Sequence, residues 1–72
     1  MSARLYYKRV TDAGYQLIGE FPTLTEAEAR AEQLSGSTER RAKPSWDSIS
    51  GVAARGFEYQ RGDEIWVVEV DD

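Results

Sequence analysis

The chain of 72 residues contains no cysteine and no histidine. Histidine is the usual proton shuttle near neutral pH, cysteine is the usual thiol nucleophile, and both are common ligands of zinc. Their absence excludes disulfide bonds and Cys/His zinc sites, and it removes the commonest side chains of enzyme active sites. We therefore expect a protein that is not an enzyme and that has no metal site and no cofactor.

Long apolar runs are also missing from the sequence. No stretch is long enough for a membrane span or for the apolar core of a signal peptide, so we expect a cytoplasmic protein without a membrane partner. A chain of this length forms one domain at most, and such a domain buries only roughly 60% of the surface of its unfolded chain. The two Trp, four Tyr and two Phe residues supply the large side chains that a small core needs.

The charged residues are unevenly distributed along the chain, which has nine basic and thirteen acidic residues and a net charge of −4. Residues 62–72 carry five acidic side chains and no basic one, whereas residues 36–46 carry three basic side chains against one acidic side chain. The sequence therefore has a basic middle and an acidic end. The acidic residues of the end are Asp63, Glu64, Glu69, Asp71 and Asp72, and the basic residues of the middle are Arg40, Arg41 and Lys43.

The first third of the sequence predicts a β-hairpin. Residues 4–11 and 15–21 are rich in Tyr, Leu, Val and Ile, and residues 12–14 between them fit a three-residue loop closed by Gly14 in the left-handed conformation. A two-residue loop would shift the pairing by one residue and exchange the two faces of the first strand. The register of this hairpin therefore stays open.

A helix is predicted over residues 24–35. Thr23 and Glu26 have the spacing of a capping box, apolar residues recur every three or four positions as far as Leu34, and Gly36 follows as a C-terminal cap. The small alanines of this stretch would let the helix lie close against a sheet.

The second half of the sequence predicts a basic loop at about 36–48 and a second hairpin. Residues 46–55 fit either a loop or a short helix that ends near Gly56. Residues 57–61 and 64–70 flank Gly62-Asp63, where glycine in the first loop position favours a type II′ turn.

Together these elements predict an α+β fold over residues 1–72, with both hairpins in one antiparallel sheet and a single long helix packed across one face. The apolar positions of these elements predict the core. Its expected members are Leu5, Leu17, Phe21, Leu24, Ala27, Ala31, Leu34, Phe57, Trp66 and Val68.

The acidic end predicts a protein-binding surface. Carboxylates on an ordered strand attract a basic partner and imitate a nucleic-acid backbone to a protein that binds one. Apolar residues on the sheet face opposite the helix would add contact area, unless residues 40–55 or a second copy of the chain, in a homodimer, cover that face. The expected contact residues are Glu58, Asp63, Glu64, Glu69, Asp71 and Asp72, with Tyr6 and Ile65 as apolar anchors.

The alternative function is direct nucleic-acid binding through the basic loop. Arg40, Arg41, Lys43 and Trp46 combine the cations that contact phosphates with an aromatic ring that stacks on bases. The net negative charge of the chain opposes this function, because a phosphate backbone is repelled by acidic surfaces.

In size, acidity, absence of Cys and His, and order of strands and helix, the chain is similar to small phage-encoded inhibitors of host defence, such as anti-CRISPR proteins. This resemblance implies an inhibitor that blocks a nucleic-acid-handling complex by occupying a protein surface. It rests on overall properties and carries over no functional residue.

Overall fold

The computed structural model describes residues 2–43, 48–49 and 54–71. One α-helix packs on one face of a five-stranded, fully antiparallel sheet with the strand order β2-β1-β5-β4-β3. The first and last strands of the chain, β1 and β5, are therefore neighbours at the centre of the sheet. The elements are β1 (Ala3–Arg9), β2 (Gln16–Phe21), α1 (Leu24–Ser35), β3 (Arg41–Lys43), β4 (Ala54–Arg61) and β5 (Glu64–Asp71).

The helix has the predicted bounds and the predicted caps. The Thr23 hydroxyl accepts a hydrogen bond from the Glu26 amide at 3.2 Å, and the Gly36 amide donates to the Glu32 carbonyl at 2.8 Å. Gly36 has a φ of 72°, a left-handed conformation that favours glycine. Both helix ends are thus fixed by residues adjacent to the helix in sequence.

The core lies between α1 and the helix-facing side of the sheet. Nine of the ten predicted core residues are buried or packed against the core cluster, and Leu17 is the exception. The second hairpin has the predicted two-residue loop, with Gly62 at a φ of 60° and Phe57, Tyr59, Trp66 and Val68 on the helix side. The buried cluster comprises Ala3, Leu5, Ala27, Ala31, Tyr59, Trp66, Val68 and Val70.

The structure decides the register of the first hairpin, which the sequence left open, and the core position predicted for Leu17 is wrong. A β-bulge separates the pair Leu5–Gly19 from the pair Tyr6–Leu17, so the two halves of β2 pair with β1 in different registers. Because side chains alternate along a strand, the extra residue moves Leu17 to the face opposite the helix, where it is 50% exposed. Gly14 has no positive φ, so it does not close the loop as predicted.

The predicted basic loop contains a strand instead. Arg41–Lys43 pair with Gly56–Glu58 of β4 and form the edge of the sheet opposite β2. The predicted short helix over 46–55 falls largely outside the described residues. Its C-terminal part is wrong, because Ala54 begins β4 and Gly56 lies within that strand.

Candidate functional site

Glu69 is not part of an exposed acidic surface, contrary to the sequence prediction. Its side chain is only 1% exposed, and its Oε2 accepts a hydrogen bond from the Ile49 amide at 2.6 Å. Gly56 lies opposite Glu69 in β4 and leaves room for it, since a Cβ at position 56 would lie 3.4 Å from the Glu69 Cγ. The buried carboxylate holds the backbone at Ile49 against the sheet, which is a structural role.

Glu64 belongs to a hydrogen-bonded cluster at the end of the sheet. The Tyr7 hydroxyl donates to its Oε2 at 2.7 Å, and an Arg61 Nη2 lies 3.1 Å from its Oε1. The hydrogen bond from Tyr7, followed by that from Arg61, lowers the pKa of Glu64, while the hydrogen bond to Glu64 and burial raise the pKa of Tyr7. Arg61 also lies 5.4 Å from the centroid of the Trp66 ring. In this cluster the Glu64 carboxylate is paired with the Arg61 guanidinium and hydrogen-bonded by Tyr7. Its charge is therefore largely compensated within the molecule.

The other predicted contact residues are distributed around the molecule. Glu58 is half-buried and accepts two hydrogen bonds from Arg41 Nη2, at 2.5 and 3.0 Å. Asp63 is exposed in the turn of the second hairpin. Asp71 ends β5, but its side chain and the whole of Asp72 lie outside the described residues. Among the described side chains, the predicted acidic residues therefore do not form one exposed patch.

The two arginines of the middle segment, Arg40 and Arg41, have acidic partners inside the molecule. Arg40 forms an ion pair with Glu28 of α1 and lies 4.2 Å from the centroid of the Phe57 ring. Arg41 pairs with Glu58 across the strands. Lys43 ends β3 and Trp46 lies outside the described residues. The charges of the Arg40 and Arg41 guanidinium groups are thus partly neutralised by Glu28 and Glu58, which weakens their attraction for a phosphate.

The Tyr59 hydroxyl is the one buried neutral group without a hydrogen bond in the described part of the chain. Tyr59 is fully buried, and burial raises the pKa of its hydroxyl. Arg40 and Glu32 lie close enough to shift the pKa of the hydroxyl in opposite directions through charge and side-chain hydrogen bonding, but neither reaches hydrogen-bond geometry with it.

The most exposed apolar surface lies on the edge strand β2. Gly19 pairs with Leu5 on the helix side, so alternation places Ile18 on the outer face, and Leu17 pairs there with Tyr6. Leu17 is 50% and Ile18 43% exposed. We call Tyr6, Leu17 and Ile18 the edge patch.

Both predicted apolar anchors lie on the outer face. The hydroxyl of Tyr6 accepts a hydrogen bond from Arg4 Nε at 3.1 Å, and Tyr6 pairs with Leu17 across β1 and β2. Ile65 is half-buried and pairs with Lys8 of β1 and Gln60 of β4. Sequence analysis placed Leu17 in the core, because it assumed a regular hairpin; Gly19, next to the bulge, is the sequence signal that could have indicated it.

A groove runs along the helix side of the same edge. It has a volume of about 450 Å³ and lies between the end of β2 and one flank of α1. Gly19 lies on the helix side of β2 near this groove and contributes no side chain to it. The residues that line the groove are Phe21, Pro22, Glu26, Ala29, Arg30 and Gln33.

The described residues contain neither a cluster of metal ligands nor a membrane-spanning helix. Within them, no three acidic side chains converge as a set of metal ligands. No helix in the described part of the chain has the length and apolar character that crossing a bilayer requires.

Comparison of the chain with protein-family models, curated proteins and solved structures found no match. Inference about function therefore rests on the surface of this molecule.

Proposed function

We propose that this chain is a non-enzymatic protein-binding module whose contact surface is the β2 edge of the sheet. The observation that carries the proposal is the edge patch, in which Leu17 and Ile18 of an edge strand are 50% and 43% exposed beside Tyr6. Adjacent apolar side chains on an unpaired edge are costly in a free monomer, since they promote association. We therefore interpret the edge patch as an interface with another protein.

The charge of the chain favours a basic partner. The net charge is −4, and two exposed carboxylates, Glu20 and Glu26, flank the β2 edge. A protein that handles nucleic acid offers a basic surface that such charges attract over a long range. Our proposal is therefore an inhibitor of a nucleic-acid-handling complex, of the kind that phages and mobile elements use against host defence.

The alternative, direct nucleic-acid binding through Arg40, Arg41, Lys43 and Trp46, has less support. Glu28 and Glu58 already engage the two guanidinium groups, so phosphate binding would have to break existing ion pairs. Burying a phosphate backbone against an acidic domain adds repulsion.

The test is affinity capture from nuclease-treated host lysate with the wild-type chain and two variants. Leu17→Asp places a charge in the edge patch, whereas Val10→Asp makes a similar change at an equally exposed residue, since both side chains are 50% exposed. We expect the wild type and Val10→Asp to retain one stoichiometric protein partner and Leu17→Asp to lose it. Recovery of nucleic acid without a stoichiometric protein, or capture that survives Leu17→Asp, would overturn the proposal.

A further inference from the structure

We infer that the β2 edge binds an extended segment of the partner protein as an additional antiparallel or parallel strand, with apolar side chains directed to both faces and a lysine or arginine beside Glu20. This inference rests on the protein-binding function proposed above and specifies how the partner is held. The open strand edge, the apolar surfaces on both sides of it, and the exposed Glu20 carboxylate on its outer face all point to this occupant.

The first observation is the open edge itself. β2 is the terminal strand of the sheet, and no described strand pairs with its second edge. Every second residue of an antiparallel edge strand directs its N–H and C=O groups away from its neighbour. These groups hydrogen-bond an incoming strand, and such main-chain bonds supply affinity in strand-addition complexes.

The second observation is that apolar surface lies on both sides of the same edge. The edge patch with Leu17 and Ile18 lies on the outer face, and the groove between Phe21 and Ala29 lies on the helix side. An added strand directs alternate side chains to opposite faces. Its odd residues would contact the patch and its even residues would enter the groove, so apolar residues are needed at both odd and even positions to cover both surfaces.

The third observation is the charge at the end of the edge. Glu20 is exposed on the outer face, where it pairs in register with Arg4 of β1, whose Nε donates to the Tyr6 hydroxyl. Glu26 instead lines the groove on the helix side together with Arg30, which donates to the Gln33 side chain at 2.7 Å. A cationic side chain on the outer face of the partner strand complements Glu20.

The same charges argue against a second copy of the chain as the occupant. In a symmetric pairing of two β2 edges, each copy would present the sequence Gln16–Phe21, which contains Glu20 and no basic residue. A second copy therefore supplies no cation from its own β2 strand to face the Glu20 carboxylate. A basic segment of another protein does.

The test begins with the full chain and a displayed library of random eight-residue peptides. We expect the enriched peptides to carry apolar residues at both odd and even positions and Lys or Arg at one end. Enrichment of acidic peptides, of peptides with apolar residues on one face only, or of no peptide overturns the inference. Sedimentation equilibrium of the free protein tests the other occupant, because a dimer that Leu17→Asp dissociates would assign the edge to a second copy.

Backbone methylation then tests the binding mode without changing the protein. Two versions of the most enriched peptide carry N-methyl groups on alternate amides, in one at odd positions and in the other at even positions. Since an added strand uses the amides of one edge only, we expect one version to lose binding and the other to bind within about threefold of the parent peptide. Equal effects of the two versions contradict strand addition.

Charge reversal tests the position of the basic residue. Glu20→Lys should weaken binding of the Lys-ended peptide by roughly five- to tenfold and strengthen binding of its Glu-ended counterpart. Glu39→Lys is the matched control, since it makes the same change at an exposed residue next to β3, on the opposite side of the sheet. Equal losses in both variants would show only long-range attraction and overturn the assignment.

Failure of this inference and failure of the proposed function give different results. Suppose that Leu17→Asp abolishes capture of the partner, that Glu20→Lys leaves it unchanged, and that N-methylation of the binding segment has no effect. The protein-binding function then stands, and strand addition is wrong. If capture does not depend on Leu17, the proposed function itself fails.

Discussion

The buried hydroxyl of Tyr59 gives the sharpest test of the packing described above. Tyr59 is fully buried in the core cluster, and its hydroxyl makes no hydrogen bond to any described residue. The substitution Tyr59→Phe keeps the ring and removes only this group. A buried hydroxyl without a hydrogen bond costs about 1–3 kcal/mol, and removal of such a group is neutral or stabilising.

The nearby Arg40 guanidinium offsets part of this cost, so we expect a gain at the low end, about 1 kcal/mol in the free energy of unfolding. In a domain of this size that gain raises the Tm by about 4–8 °C. Thermal unfolding at neutral pH, followed by circular dichroism, measures the difference.

Tyr7→Phe is the matched control, because the Tyr7 hydroxyl donates to Glu64 at 2.7 Å and its loss should lower the Tm. The two identical substitutions therefore have opposite expected signs. A lower Tm for Tyr59→Phe would show that its hydroxyl is hydrogen-bonded in solution and would refute the reasoning.

Three further predictions concern pH, packing and metals. Because Tyr7 and Arg61 lower the pKa of Glu64 below its ordinary value of 4.5, the stability that this carboxylate adds is present above that value and is lost as the pH falls through the lower folded-state pKa. The Tm difference between wild type and Glu64→Gln should thus shrink between pH 7 and about pH 3, and a constant difference would contradict the assigned hydrogen bonds. Gly56→Ala places a Cβ 2.9 Å from the Val68 carbonyl oxygen and should cost about 1–3 kcal/mol in denaturant unfolding, whereas Gly14→Ala, with no atom within 4 Å of its Cβ, should be tolerated. Calorimetric titration with zinc, manganese or calcium should give no saturable heat, and a stoichiometric tight site would mean that the acidic end forms a cage not recognised in the sequence.

The acidic end shows how burial changes the meaning of a charged residue. Asp63, Glu64 and Glu69 are similar in sequence, but Asp63 is exposed, Glu64 is hydrogen-bonded to Tyr7, and Glu69 is buried beneath Ile49. Net charge per segment therefore did not predict which carboxylates a partner can reach. The carboxylates beside the open edge, Glu20 and Glu26, lie in other elements of the chain.

The sequence by itself determined the elements whose ends are fixed by neighbouring residues. The helix begins after Thr23 and ends at Gly36, and the last hairpin turns at Gly62, because capping bonds and positive φ angles depend on residues a few positions apart. The predicted core residues Trp66 and Val68 of β5 also face the helix, because alternation along a strand depends on residues only two positions apart.

Only the tertiary structure decided the strand order, the bulge beside Leu17, the third strand over Arg41–Lys43 and the burial of Glu69. The strand order, the third strand and the burial of Glu69 each depend on a partner far away in the chain: β5 beside β1, β4 beside β3, and Ile49 above Glu69. The bulge forms within the first hairpin, where the pairing of β1 with β2 changes register between Leu5 and Tyr6. A one-residue change of register moves every following side chain to the other face. The bulge therefore turned Leu17 outward, and with it created the surface that we propose binds the partner.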